Sequence, residues 1–159
     1  MRTVDQAIFH APMADAFRAA SDVERWPELL PHYRWVRFLE RRPDGGVVEM
    51  SANRPFGPVD WPTWWVSEMW IEPARNAVRY RHIRGITTGM DVEWTLRSGS
   101  GGVDVSIVHE WSGPSWPLIR QPAAEWVIGP VFVHGIASRT LAGLKHAVEG
   151  GRTVVKGMT

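Results

Sequence analysis

An α+β domain is what this sequence predicts: a curved, seven-stranded antiparallel sheet around one long C-terminal helix, with two short helices after the first strand. Three observations carry that reading. Segments with period-two apolar alternation are joined by short turns rich in Gly, Pro, Asn and Asp, the spacing of hairpins and hence of an antiparallel sheet. Val133, Ala137, Leu141, Leu144 and Val148 form a single apolar stripe on a helix expected over Pro122 to Glu149, and such a stripe must be covered by a sheet face. The helical patterns after the first strand are too short to stand alone, so they lean on that sheet. The 159 residues suffice for one core, and no repeat or linker divides them, so the chain reads as a single domain over 1–159.

Taken in order, Arg2 to His10 is the first strand, ended by Ala11-Pro12. Met13, Ala16, Phe17 and Ala20 recur at helical spacing across Pro12 to Ala20. Val23 to Leu30 is a second helix with sharp limits. Pro27 suits a first helical turn, since it has no N–H to lose there, and Pro31 pushes Leu30 into an extended conformation. Trp26, Leu29 and Leu30 share one face of it. Tyr33 to Arg42 and Val47 to Arg54 form a hairpin about Pro43-Asp44-Gly45-Gly46.

Pro55 to Pro58 is a loop, and Trp61 to Ile71 a long Trp-rich strand closed by a turn over Glu72 to Asn76. Ala77 to Arg84 sets Val78, Tyr80 and His82 against Arg79 and Arg81. Met90 to Arg97 sets Met90, Val92, Trp94 and Leu96 against Asp91, Glu93 and Thr95. Val103 to Trp111 puts Val103, Val105, Ile107 and His109 on one face. Ser112 to Gln121 is irregular. In the final helix Pro130 should bend the start and Gly150-Gly151 should stop the end, leaving a loose tail.

Composition narrows the function. Lys and Arg number 18 against 17 Asp and Glu, which makes no electrostatic case for nucleic acid or an anionic membrane surface. There is no cysteine, so disulfides and thiolate chemistry are excluded. No apolar run is long enough to span a membrane. Met1 to Asp5 lacks the pattern of a signal peptide, so a cytoplasmic location is expected. No His-Glu-x-x-His or other metal spacing occurs, and neither a metal nor a cofactor is implied. Ten tryptophans are the unusual count, and several stand near Pro and Gly. They fill a core or wall an apolar cavity.

The run Ser21-Asp22-Val23-Glu24-Arg25-Trp26-Pro27-Glu28-Leu29-Leu30-Pro31, followed by Tyr33 opening a strand, resembles the START-like helix-grip superfamily. Within it the chain is similar to the bacterial polyketide aromatase/cyclases of the polyketide cyclase/dehydrase family. The resemblance implies a curved sheet gripping the long helix with a ligand cavity between them. In Trp64-Trp65-Val66-Ser67-Glu68-Met69-Trp70, Glu68 prefers water, so Trp65, Ser67 and Met69 should face inward. This looks like the family strand in which Trp-x-Ser is followed two residues on by an Arg that polarises a carbonyl. Met69 stands at the Arg position, and a thioether donates no hydrogen bond. Tyr33 matches the family's Tyr, and His82 matches a second basic position.

The implied function is binding of a hydrophobic, aromatic or polyketide-like small molecule, with cyclase or aromatase chemistry by acid/base enolisation at Tyr33 and His82. The competing reading is a non-catalytic carrier of lipid, sterol or isoprenoid, which the missing Arg favours. Ligand-contact candidates are Trp26, Arg54, Trp65, Ser67, Met69, Met90, Trp94, His109, Trp126 and His134. His82 and His109 lie on inward apolar faces, as neutral core histidines or as pocket donors. His134 divides between helix surface and pocket lining, and Arg54 between a plain surface charge and a ligand-head contact near the cavity mouth. Phe56 and Trp61 are mouth candidates. His10, His32 and His146 sit at element ends and are expected to be solvated. Partners reduce to the small molecule and, left open, a second copy in a homodimer.

Overall fold

The computed structural model describes residues 1–56, 58–113 and 133–155, without the side chains of 55, 56 and 151–155. Strand β1 (Arg2–Phe9) leads to α1 (Met13–Ser21), a 3-10 turn (Val23–Arg25) and α2 (Trp26–Leu29). Then come β2 (Tyr33–Arg42), β3 (Gly45–Phe56), β4 (Val59–Glu72), β5 (Ala77–Gly85), β6 (Asp91–Gly99), β7 (Gly102–Glu110) and α3 (His134–Val155). All seven strands form one sheet in the order β1-β7-β6-β5-β4-β3-β2, every pair antiparallel. Five of its six junctions are therefore hairpins between sequence neighbours, and β1 closes the far edge on β7. Helix α3 lies against β1, β3, α1 and α2.

Local chemistry explains the turns. Gly45 and Gly46 take φ of 141° and 145° between β2 and β3, and a Cβ on Gly45 would stand 2.1 Å from the Met69 carbonyl oxygen, so only glycine fits. Asn76 ends the turn after β4 in the left-handed region at φ 47°, which Asn tolerates well. Register shifts at Tyr33/Trp35, Phe38/Glu40 and Val66/Ser67 are bulges of the kind that bend and twist a sheet. The core fills the concave side. Phe9, Leu30, Val48, Met69, Val78, Leu96, Val105 and Leu144 are buried there in one cluster. The α3 stripe forms as expected, with Val133, Ala137, Leu141 and Leu144 buried and Val148 partly so.

Several boundaries differ from the sequence reading. The second helix divides into the 3-10 turn and the single α-turn Trp26–Leu29, since Pro27 lacks the N–H that a continuous ladder needs. The β3–β4 hairpin reaches further than expected: Pro55 faces Asp60 and Phe56 faces Val59, so the loop shrinks towards its tip. Helix α3 passes through Gly150-Gly151 to Val155, because a glycine pair stops a helix only when the chain also turns into the left-handed region. The expected start of that helix at Pro122 and its bend at Pro130 lie outside the described residues.

Candidate functional site

The concave face is ordered in register rows. Met69, Tyr80, Val92, His109 and Thr3 stand side by side across β4, β5, β6, β7 and β1. Beside that row, Ser67 faces His82, whose backbone N–H donates to the Met90 carbonyl at 2.9 Å. These rows place a polar strip, Tyr80, His82 and His109, inside an apolar wall. Between them and α3 lies a cavity of about 70 Å³. Trp26, Trp65, Trp94, Met50, Met90 and Ile107 are among its apolar lining. Tyr33, Tyr80, His82, Thr87, His109 and Thr140 supply its polar edges.

The aromatic wall is mutually braced. Trp26 meets Tyr33 edge-on at 5.2 Å and Trp94 at 5.6 Å, and its Nε1–H donates to the Ala19 carbonyl at 2.9 Å. Trp65 stacks on His82 with centroids 5.9 Å apart and planes 13° apart. The Trp65 ring thus fixes one face of the imidazole, while Nδ1 pairs with the Thr87 hydroxyl at 2.6 Å. Burial pushes His82 down to about 3, with His109 nearby adding to the effect. Burial likewise holds His109 at about 4. Both imidazoles are neutral at pH 7. Burial raises the Tyr33 phenol, against a hydrogen bond to Thr140 that works the other way. The Tyr80 phenol is raised well above its usual range by burial, then by Tyr33. Among the described residues, the lining therefore offers uncharged donors and acceptors only. Two of them, the Tyr80 hydroxyl and His109 Nδ1, are buried and have no partner among the described residues.

Of the expected residues, the structure brings Trp26, Tyr33, Trp65, His82, Met90, Trp94 and His109 together around the cavity. Ser67 and Met69 take the inward face as read, but both lie below the cavity floor at 0% exposure and do not line it. Arg54 is also on the inward face, buried near the end of β3 and outside the lining; desolvation lowers its pKa. His134 is a correction. It points outward, 62% exposed, and pairs with Asp5 Oδ1 on β1 at 2.5 Å. Asp5 is buried, and burial raises its pKa, while His134 opposes that rise. His32 is the opposite correction: it is half-buried, bonded to the Thr140 hydroxyl at 3.1 Å and held down to about 4, mainly by burial. Trp126 and the side chain of Phe56 lie outside the described residues, and Trp61 is exposed on the β4 end. Tyr80, Thr87 and Thr140 are site residues that the sequence reading did not single out. Tyr80 could have been found, since it alternates with Val78 and His82 on the same apolar face.

Among the described residues no cluster of His, Asp or Glu could hold a metal ion, and no helix is long and apolar enough to cross a membrane.

An antiparallel sheet curved over a long helix, with a Trp-lined cavity between them, defines a helix-grip domain of the START/Bet v 1-like class. Solved structures agree. The Zhui aromatase/cyclase from Streptomyces sp. R1128 superposes with a TM-score of 0.78 at 16% identity, covering 94% of this chain and 93% of that one. A START superfamily protein from Mycobacterium smegmatis gives 0.64 at 15% identity, covering 94% and 97%. In sequence, 102 residues are 28% identical to a Streptomyces halstedii protein provisionally named a polyketide cyclase, covering 64% of this chain and 92% of that protein. Residues 9–132 match the family described as polyketide cyclase / dehydrase and lipid transport, and the chain belongs to that family.

Proposed function

We propose that this protein binds a hydrophobic, aromatic or polyketide-like molecule between the sheet and α3 and folds it for ring closure, as a cyclase or aromatase. The observation that carries the reading is the pairing of an indole-walled cavity with neutral hydrogen-bonding groups on one side of it. In such a closure, a carbon flanked by carbonyls loses a proton and bonds to a second carbonyl carbon, whose oxygen takes up a proton. Tyr33 and Tyr80 supply O–H donors where negative charge develops on oxygen. His82 is the acceptor for the carbon's proton, but at about 3 it is a weak base in the free protein. Proton transfer to it at pH 7 costs roughly 5 kcal/mol at ~1.4 kcal/mol per pKa unit. Positioning of the chain by the indole walls therefore provides most of the acceleration.

The cavity is small for this task. A dry apolar cavity of ~150 Å³ takes a single benzene, so a larger ligand must displace lining side chains. Met50 and Met90 line the cavity and have the unbranched, adaptable side chains that can move.

A carrier of lipid, sterol or isoprenoid is the second reading. It is favoured by the lack of any charged side chain among the described lining residues. Mass spectrometry of the molecule that co-purifies separates the two: a planar polyphenol supports the cyclase, a fatty acid or isoprenoid the carrier. Turnover of a linear polyketide analogue, abolished in His82→Ala while binding persists, supports catalysis. Unchanged turnover in His82→Ala, or no binding of any polyketide analogue, removes it.

A further inference from the structure

We infer that Tyr80 determines specificity: it selects a ligand whose buried end carries a neutral carbonyl oxygen over the matching carboxylate or the oxygen-free analogue. The inference rests on the ligand-binding reading above and adds the chemical class that the cavity takes.

The argument starts from hydrogen-bond accounting. The Tyr80 side chain lines the cavity and is 4% exposed, and its hydroxyl has no partner among the described residues. Its register neighbours are Met69 on β4 and Val92 on β6; the Val92 side chain has no acceptor and Met69 only a weak thioether, which makes no bond to the hydroxyl. The other lining hydroxyls are committed. Thr87 Oγ1 pairs with His82 Nδ1 at 2.6 Å. Thr140 Oγ1 donates to the Ile136 carbonyl at 2.8 Å and also meets His32. Tyr33 has Thr140 within reach. A buried hydroxyl with no protein partner among the described residues leaves its hydrogen bond open to an arriving acceptor. The phenol stays protonated, and hence a donor, because burial raises its pKa. His109 Nδ1 is the other open group, but its role follows the tautomer, whereas an O–H always has a proton to give.

Charge sets the other half of the selection. No Lys or Arg lines the cavity among the described residues, and Arg54 lies outside it. His82 and His109 are neutral at pH 7. A carboxylate would enter without a counter-charge, which is costly in an apolar site. A ketone has the acceptor without the charge.

The test uses fluorinated single-ring probes, which need the least enlargement of the cavity: 4-fluoroacetophenone, 1-ethyl-4-fluorobenzene and 4-fluorobenzoate, titrated by fluorine NMR at pH 7. The native protein should bind the ketone about tenfold tighter than the ethyl compound, the size of one well-made hydrogen bond. It should bind the ketone at least tenfold tighter than the benzoate. Tyr80→Phe should weaken ketone binding to the level of the ethyl compound and leave the ethyl compound within about twofold. Its urea midpoint should stay level or rise, because an unpaired buried hydroxyl is removed. If ketone and ethyl compound bind alike and Tyr80→Phe alters neither, the role of Tyr80 is overturned and hydrophobic binding stands. Tightest binding of the benzoate also overturns it. If none of the three binds, the ligand-binding reading falls with it.

Discussion

Replacing Trp26 with alanine tests how the short helices hold the cavity together. Trp26 is 2% exposed and opens a helix of a single turn, Trp26–Leu29, that has no independent stability. The substitution removes three things at once: the buried indole, its edge contacts with Tyr33 and Trp94, and the Nε1–H bond to the Ala19 carbonyl. Aromatic-to-alanine changes in cores cost ~3–5 kcal/mol, a range that already includes most of the lost contacts. The hydrogen bond adds ~1 kcal/mol by leaving a part-buried carbonyl without its donor. A loss of about 5 kcal/mol follows. With an m-value of ~2–3 kcal/mol/M in urea, the midpoint should fall by about 1.7–2.5 M. Trp26→Phe retains a ring in the wall but not the N–H, and should lose less than half as much. Equilibrium unfolding followed by circular dichroism, with m-values compared, gives both numbers. A Trp26→Ala midpoint within ~0.3 M of native at equal m would refute the claim that this indole anchors the helices to the sheet.

Stability should also depend on pH through the buried imidazoles. His82 at about 3, His109 at about 4 and His32 at about 4 all sit below the ordinary 6.5 in the folded chain. The unfolded chain therefore binds the extra protons once pH drops below about 6.5, and stability is lost progressively until pH reaches the folded values. Each pKa unit is worth ~1.4 kcal/mol, so urea midpoints should reveal a loss of ~3 kcal/mol or more between pH 6.5 and 5, and a plateau from 7 to 8. A level profile down to pH 5 would place these rings in water. Met69→Arg should destabilise the protein by ~3 kcal/mol or more, because Met69 is fully buried and the described residues that line the cavity offer no counter-charge. Native stability together with tighter binding of acids in the Met69→Arg protein would contradict that. His134→Ala should change ligand affinity by less than twofold, since the ring is turned away from the cavity, and should cost ~1–3 kcal/mol of stability, because the buried Asp5 carboxyl loses its partner; calorimetry measures the first and urea unfolding the second.

The strands and their faces were legible because alternation and turn chemistry are local. Glu68 alone oriented β4, and the inward set Trp65, Ser67 and Met69 is buried as that argument requires. Depth was not legible. Period two says which side Met69 takes, but not that the cavity ends above it. Nor does the pattern say that α3 turns His134 away from the cavity and onto Asp5. The run to Val155 was missed because a helix end depends on capping geometry as well as on glycine. His32 was misplaced because its burial comes from α3, through Thr140, more than a hundred positions away in sequence. Tyr80 was on the expected face, yet what sets it apart is an unpartnered hydroxyl, which only the assembled structure reveals.

The most direct test of the central claim, that a hydrophobic ligand sits between sheet and helix, uses the tryptophans as reporters. Trp26, Trp65 and Trp94 line the cavity, while Trp61 and Trp64 are exposed. With nitrogen-15-labelled indoles assigned, 2-naphthol is titrated and each indole N–H followed by NMR. The account predicts saturable shifts at Trp26, Trp65 and Trp94, with Trp61 and Trp64 unmoved. Shifts confined to Trp61 and Trp64, with the cavity indoles silent at saturation, would contradict it.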